Sequence, residues 1–196
     1  MNRKVEQGLE TRREIIEAAR RLFAERGYAD VSIEQVLGAS QVSRGALYHH
    51  FRGKEALFEA VFEAMEAEIA ELVLARSAAA ASPAEALAAG ADAFLDLARD
   101  KAVRQIVLTD APAALGWEKW REIDAQHGFG LLKAALAPAA AEAGLPDAMV
   151  EPFAHMLLAS LTEIALLIAR ADDSAAEAEA GKAAIRELLV RILRRP

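Results

Sequence analysis

Apolar residues recur at three- and four-residue steps through most of this 196-residue chain. One such stripe begins at Ile15, and another runs along residues 58–72. These steps place apolar side chains on one face of an α-helix, whereas strands show strict alternation. Because no segment shows convincing alternation, the sequence predicts an all-α fold.

Four stretches of the form Ser/Thr-x-x-Glu/Gln are typical of helix N-termini, where two side chains satisfy free backbone N–H groups. They begin at Thr11, Ser32, Ser82 and Ser174. Pro83 strengthens the third, because proline at the first helical position loses no hydrogen bond. With the apolar spacing, these signals predict about nine helices. Their expected ranges are 11–26, 33–39, 43–50, 54–76, 83–100, 103–110, 116–137, 147–170 and 175–194.

The composition narrows the class of protein. The chain contains no cysteine, which excludes disulfides and cysteine-based zinc sites. No uninterrupted apolar run reaches the roughly 18 residues of a membrane span, and the N-terminal segment lacks the apolar core of a secretory signal. We therefore expect a cytoplasmic protein with no membrane partner.

Charge is unevenly distributed along the chain. Residues 1–54 contain ten Lys/Arg and seven Asp/Glu, whereas residues 55–196 contain 13 and 23. A basic segment joined to an acidic one suggests that the first part meets a polyanion. Many globular proteins also carry a segment of this charge by chance. Only a sequence motif can therefore show whether the basic segment binds a polyanion.

Residues 32–51 contain two short predicted helices separated by only a few residues. This is the layout of a helix-turn-helix, whose second helix enters the major groove of DNA. The remaining face of the second helix is small and polar, which suits a groove. The apolar residues expected to anchor the pair are Ile33, Val36, Val42, Leu47 and Phe51.

The stretch from Thr11 to Phe62, and above all VSRGALYHHFRGKEAL, resembles the DNA-binding domain of the TetR family of transcriptional regulators. Gln41 stands where that family usually has glycine, so the turn must either hold Gln41 in a left-handed conformation or adjust around it. Leu37 and Ser40 stand where alanine is usual. The resemblance implies a three-helix DNA-binding domain at residues 1–54 and a larger helical ligand-binding and dimerisation domain at residues 55–196.

The resemblance also implies which residues meet DNA. Tyr48, His49 and Lys54 match positions that contact phosphates, and phosphate oxygens need such donors. Arg44 is suited to guanine because its guanidinium can bond O6 and N7 together, although a phosphate contact is the alternative. Thr11 is either a helix cap alone or a cap that also meets phosphate. The complete predicted set is Thr11, Ser43, Arg44, Gly45, Ala46, Tyr48, His49 and Lys54.

The last two predicted helices have wide apolar faces, which resemble the dimer seam of the same family and would form a four-helix bundle with a partner's copies. The alternative is that these faces are buried within one monomer. The predicted interface residues are Phe153, Leu157, Ser160, Leu161, Ile164, Ile168, Ile185, Leu189 and Ile192.

Large aromatic side chains gather in the middle helices, where the family keeps an inducer cavity, and VRQIVLTDAPAALGWEKWREID resembles a C-terminal segment of one family branch. Aromatic walls with a few polar groups suit a mostly apolar small molecule, although ordinary core packing is the alternative. The predicted pocket residues are Phe94, Leu97, Arg104, Trp117, Trp120, His127, Phe129, His155 and Glu163.

Glu151 and His155 lie one helical turn apart, and His127 could join them as a third zinc ligand. Such pairs are common on solvated helices, so we expect no metal and no cofactor. We also find no catalytic motif. The sequence thus predicts a homodimeric, ligand-responsive DNA-binding repressor rather than an enzyme. The alternatives are a constitutive DNA binder without inducer and a helical metal-dependent enzyme.

Overall fold

The computed structural model describes residues 3–194 of the chain, with side chains from Val5 onward. Over this range we number ten α-helices, and no residue lies in a strand, which confirms the all-α prediction. They are α1 (Arg3–Arg26), α2 (Ile33–Ser40), α3 (Arg44–His50), α4 (Lys54–Ser77), α5 (Pro83–Leu97), α6 (Ala111–Leu115), α7 (Trp117–Gln126), α8 (Gly128–Ala143), α9 (Val150–Arg170) and α10 (Ser174–Ile192). A π-helical segment, Val103–Asp110, precedes α6, and a 3-10 turn, Asp147–Met149, precedes α9.

Helix α1 begins at Arg3, eight residues before the expected start. Thr11 therefore lies inside the helix, and its hydroxyl donates a hydrogen bond to the Gln7 carbonyl at 3.0 Å. The prediction of a cap at Thr11 is wrong. The residues before it are mostly good helix formers, so the helix continues upstream and its carbonyls satisfy the N–H groups that a cap would otherwise serve.

The other predicted caps have mixed outcomes. Ser32 accepts a bond from the Gln35 N–H at 3.3 Å, and the Gln35 side chain accepts one from the Ser32 N–H at 2.8 Å, so this capping box is confirmed. Ser82 caps α5 by accepting from the Glu85 N–H at 3.2 Å. The cap of α10 is Asp173 rather than Ser174, because its carboxylate accepts two backbone N–H groups, each at 3.1 Å.

The predicted single helix over 116–137 is wrong, because the chain breaks at His127 between α7 and α8. His127 has φ −111° and ψ −79°, away from regular helical values, and glycine follows it at 128 and 130. Two glycines within three residues weaken the helix at this point. The break places Gly128 at the start of α8, where it borders the buried acidic pair described below.

The chain forms two compact units, and α4 contributes residues to both. The first unit contains the chain through Met65 together with Lys101–Trp120. Its core includes Phe58, which is fully buried and makes an edge-on contact with Phe23 at 5.1 Å between ring centroids. Tyr28 also packs on Phe58 at 4.7 Å. Contacts of this kind fix α1 and α4 beneath the helix-turn-helix.

The second unit contains Glu66–Asp100 and the chain from Arg121 onward. Helices α5, α8, α9 and α10 pack together in it, around a core that includes Leu95, Leu136 and Leu157. Helices α9 and α10 approach closely at Gly181, where an added methyl group would lie 2.5 Å from Ile164 Cγ2. The assignment of the two functional domains to residues 1–54 and 55–196 stays a prediction.

By length and composition, one of the described helical stretches, Asp147–Arg170, could cross a membrane, with a mean hydropathy of 1.7. A single helix of this kind is weak evidence for a membrane span, because core helices of soluble proteins have the same composition. Only 28% of the most apolar stretch of this helix is buried inside the chain. Much of this apolar helix therefore remains exposed in a single copy.

Candidate nucleic-acid interface

The turn between α2 and α3 gives the two helices their geometry. Gln41 has φ 56° and ψ 17°, and among the described residues it is the one non-glycine with a positive φ. The first of the two alternatives for this turn is therefore correct: Gln41 adopts the left-handed conformation that glycine usually occupies. Ser43 then begins α3 as its cap, accepting a bond from the Ala46 N–H at 3.2 Å.

Helix α3 is anchored by one face and exposed on the other. Leu47 is fully buried, and Phe51, which follows the helix, is 3% exposed. On the opposite side Arg44, Gly45 and His49 are exposed, and Tyr48 is 46% exposed. An exposed polar helix face with a buried apolar anchor is the arrangement that a recognition helix requires.

Arg44 pairs with a residue that the sequence analysis did not single out. Its Nη2 lies 3.1 Å from Glu34 Oε1 on α2, and both side chains are about 60% exposed (61% and 62%). An exposed ion pair contributes only about 0–1 kcal/mol, so a phosphate or a guanine can replace Glu34 at little cost. The signal for this pair in the sequence was the negative charge of Glu34, the second residue of α2.

Lys54 occupies the first position of α4 and donates hydrogen bonds to the start of the loop that follows α1. Its Nζ donates to the Tyr28 carbonyl at 2.9 Å and to the Ala29 carbonyl at 3.3 Å. The same ammonium lies 4.3 Å from the Tyr28 ring centroid. Lys54 thus stabilises the first unit itself, and its predicted phosphate contact stays a prediction.

Basic side chains lie close together at the C-terminal end of α3. The His49 and His50 rings lie 5.2 Å apart, and the Arg12 guanidinium lies 5.4 Å from the Phe51 ring centroid. The pKa of His50 is lowered, first by burial and then by the nearby charges of His49 and Arg12. Arg12 is a second residue that the sequence analysis missed, since only the three-dimensional packing brings α1 beside α3.

The π-helical segment is tied to the end of α1 within the same unit. Asp110 Oδ2 accepts a bond from the Tyr28 N–H at 2.7 Å, and Asp110 Oδ1 accepts one from Gln105 Nε2 at 3.1 Å. Because Tyr28 also carries the carbonyl that Lys54 bonds, this segment and the start of α4 contact the same residue. Tyr28 therefore links residues 103–110 to the start of α4.

The nine predicted pocket residues fall into both units. In the first unit Arg104 is half-buried, and Trp117 is 67% exposed with its ring 5.1 Å from that of Trp120. In the second unit His155 is exposed and stacks on half-buried Phe129 at 4.3 Å. The remaining members of the second unit, half-buried except for exposed Glu163, are Phe94, Leu97, His127 and Glu163. Their joint pocket stays a prediction.

An acidic pair that the sequence analysis overlooked lies in the second unit. Glu66 and Asp124 are each only 8% exposed. Burial, and secondarily the charge of Asp124, raises the pKa of Glu66 to about 7. Burial also raises the pKa of Asp124, against the opposing charges of Arg121 and His155. The signal was present in the sequence, because Glu66 follows Phe62 by one helical turn on the apolar face of α4.

Five of the nine predicted dimer residues pack inside their own chain. Being at most 6% exposed, they offer little surface to a partner, because α9 packs against α5, α8 and α10, and α10 packs against α5 and α9. These five are Leu157, Leu161, Ile168, Ile185 and Leu189. The other four are partly exposed: Phe153, Ser160, Ile164 and Ile192. The most exposed apolar residues of the two helices are Met156, Leu167 and Val190.

The residues considered as zinc ligands have other contacts. Glu151 bonds Lys133 at 2.8 Å, which lowers its pKa, and His155 stacks on Phe129. Within residues 5–194, no three His, Asp or Glu side chains come together as a metal site.

Comparison with known proteins decides the family. The family model described as "Bacterial regulatory proteins, tetR family" matches residues 15–61. The model "Tetracyclin repressor-like, C-terminal domain" matches residues 84–192, more than half of the chain. The chain belongs to the TetR family. Like other TetR-family proteins, it is a transcriptional regulator with a DNA-binding helix-turn-helix, and no catalytic function is indicated.

Individual TetR-family proteins support this assignment. A TetR-family transcriptional regulator from Pectobacterium atrosepticum is 32% identical, with complete coverage of both chains and a TM-score of 0.82. The repressor AcnR from Corynebacterium glutamicum is 46% identical over 63 residues, which are 32% of this chain and 34% of AcnR. The chain thus matches about a third of that curated relative. FadR from Bacillus subtilis, solved with stearoyl-CoA, shares the fold at 23% identity and a TM-score of 0.72, over 90% of this chain and 96% of FadR.

Proposed function

We propose that this TetR-family regulator is a homodimeric repressor that binds an operator through α3 and leaves it when a small molecule binds the second unit. The observation that carries the proposal is the exposed face of α3, held in place by buried Leu47 and Phe51. A cytoplasmic location goes with this function, because operator DNA lies there.

The side chains on α3 suit two kinds of DNA contact. Tyr48 and His49 present hydrogen-bond donors where phosphate oxygens would lie, and such contacts set the register of the protein on the duplex. Arg44 stands at the first position of α3 and can reach a base edge once Glu34 is displaced. We therefore assign positioning to Tyr48 and His49 and base readout to Arg44.

The exposed apolar residues of α9 and α10 support a homodimer. Met156 is 60% exposed and Val190 48%, and surfaces of this kind on soluble proteins mark interaction sites. A second copy would cover them and hold two recognition helices about 34 Å apart, one turn of the duplex. AcnR is named as a repressor, which supports repression by this protein. The FadR structure contains a bound small molecule, which supports effector binding.

The test begins with selection of a binding site from random DNA duplexes by the full chain. We expect a near-palindromic site bound by two chains, with affinity lost when a true effector is added. A control variant, Arg99→Ala, removes an exposed charge from the second unit and should leave the affinity unchanged. Binding of one chain to a non-palindromic site would contradict the homodimer. If no molecule in an effector screen changes the affinity for the operator, the protein is a constitutive DNA binder.

A further inference from the structure

The second unit buries one carboxylate without any partner to neutralise it. Glu66 lies on the apolar face of α4 between Met65 and Ile69, and more than nine-tenths of it is buried. No donor among the described residues hydrogen-bonds to its carboxylate. Burying an ionised group is costly unless something pairs with it. A partner from outside the chain would relieve that cost.

Gly128, at the start of α8 just after the break at His127, lies beside this carboxylate. A methyl group built onto Gly128 would lie 3.0 Å from Asp124 Oδ1 and 3.7 Å from Glu66 Oε2. Both acidic groups thus border the same point, where a side chain larger than glycine would crowd Asp124. The two carboxylates form an acidic corner that consists of Glu66, Asp124 and Gly128.

The charge of this corner is unbalanced. Asp124 Oδ2 is 3.3 Å from Arg121 Nη1, so one carboxylate has a cationic neighbour. Glu66 has only Asp124 as a charged neighbour, and the two negative charges repel. Arg121 and His155 both act on Asp124, whereas no cation in the described part of the chain acts on Glu66. An anionic ligand would worsen the repulsion, and a neutral hydroxyl would supply a donor without the charge.

We propose that Glu66 and Asp124 bind a cationic nitrogen of the effector, an ammonium or an amidinium. This inference rests on the proposed function, in which the second unit binds a small molecule. The N–H groups of the cation would donate to both carboxylates, and such charge-assisted bonds are stronger than neutral ones. Phe129 follows Gly128 and stacks on His155, whose charge acts on Asp124. The Phe129 ring would supply apolar surface for the rest of the molecule.

Matched probes test the charge requirement without any DNA. Benzamidine, benzamide and benzoate share a shape but are cationic, neutral and anionic, and hexylamine with hexanol forms a second pair without a ring. By calorimetry on the full chain at pH 8, we expect at least one cation to bind tenfold or more tightly than its neutral counterpart. No preference for the cation in either pair would overturn the proposal.

Variants of α4 identify the residue that binds the cation. Glu66→Gln keeps the shape of the side chain and should weaken the preferred cation at least tenfold, and Asp124→Asn should weaken it as well. Glu71→Gln removes an exposed carboxylate from the same helix and should change nothing. Unchanged affinity in folded Glu66→Gln, verified by circular dichroism, would also overturn the proposal.

Protonation supplies an independent readout. Because the pKa of Glu66 is about 7, a cation must displace a proton from it at pH 7 and below. We expect affinity for the cation to fall from pH 8 to pH 6. Protons released on binding should make the binding enthalpy depend on the ionisation enthalpy of the buffer, and this dependence should vanish in Glu66→Gln. If a cation binds through Glu66 while operator affinity stays constant, the result supports the cation site and contradicts effector-driven release. If only uncharged molecules release the operator, the result contradicts the cation site and supports effector-driven release.

Discussion

The two units treat charge in opposite ways. Around α3, Arg44 and its partner Glu34 are each about 60% exposed (61% and 62%). All three buried ionisable side chains of the described chain, Glu66, Asp124 and Lys182, lie in the second unit. Lys182 is neutralised by Asp96 and Glu179, whereas Glu66 has no such partner.

This difference agrees with the function that we propose for each unit. A DNA backbone is a long polyanion, so exposed donors can meet it with little loss of solvation and with strong dependence on salt. A small molecule must be enclosed, so the groups that select it are buried before it arrives. Exposed charge in one unit and unpaired buried charge in the other therefore fit recognition of DNA and of a small effector, respectively.

The largest expected effect is on stability and concerns the apolar core of the first unit. Phe58→Ala removes a fully buried ring that packs on Phe23 and Tyr28. We expect the free energy of unfolding to fall by about 3–5 kcal/mol, measured by denaturant titration. Leu9→Ala, at a 48% exposed position of α1, should change it by less than about 0.5 kcal/mol. Equal losses in the two variants would mean that Phe58 is not part of a packed core.

The next effect concerns the buried acid of the second unit. The pKa of Glu66 is raised in the folded chain to about 7, so ionising this group costs stability as pH rises from about 4.5 to 7. Glu66→Gln should raise the free energy of unfolding by about 3 kcal/mol at pH 8 and hardly at all at pH 4.5. Denaturation across this pH range measures the difference. A gain that is the same at every pH would show that ionisation of Glu66 is not its source.

The Arg44→Ala variant tests base recognition by the exposed face of α3. If Arg44 reads a guanine, its loss should relax preference at one base position and cost about 1–3 kcal/mol there. Competition binding against single-base operator variants measures both quantities. The same variant should leave the unfolding free energy within about 1 kcal/mol, because the pair with Glu34 is exposed. Uniform loss on all sequences would instead identify a phosphate contact.

Gln41→Gly should have the smallest effect. Gln41 holds a left-handed conformation, with φ 56°, that costs a residue with a side chain about 1–2 kcal/mol and glycine very little. Glycine also loses more entropy on folding, so we expect a net gain in stability of about 0.5–1 kcal/mol. Thermal denaturation of the full chain measures it. A loss of stability would indicate that the Gln41 side chain contributes contacts of its own.

The DNA-binding helices could be predicted well because their pattern is local. Leu47 and Phe51 fall one helical turn apart on one face, and turn, cap and anchor lie within 20 residues. The start of α1 was mispredicted, since a Thr-x-x-Glu stretch also occurs within helices and nothing at Thr11 prevents the helix from continuing. The break at His127 was missed because the apolar period continues on both sides of it.

The second unit was harder to predict because its helices are apolar on more than one face. Apolar spacing alone does not say which face of α9 packs on its own chain, so Leu157 and Ile168 were placed at a partner rather than in the core. Glu66 was overlooked for the opposite reason, because a charged residue is normally exposed. Its position one turn after Phe62 indicated burial, and only the fold shows that Asp124 lies beside it.

The salt dependence of operator binding is the most direct test of whether the exposed side of α3 contacts DNA. The logarithm of the association constant should fall linearly with the logarithm of salt concentration, with a slope of about −0.9 for each phosphate neutralised. Lys54→Ala should reduce that slope by about one unit for each chain bound if Lys54 contacts a phosphate in addition to the Tyr28 carbonyl. A slope near zero on the best selected duplex would contradict DNA recognition by this surface.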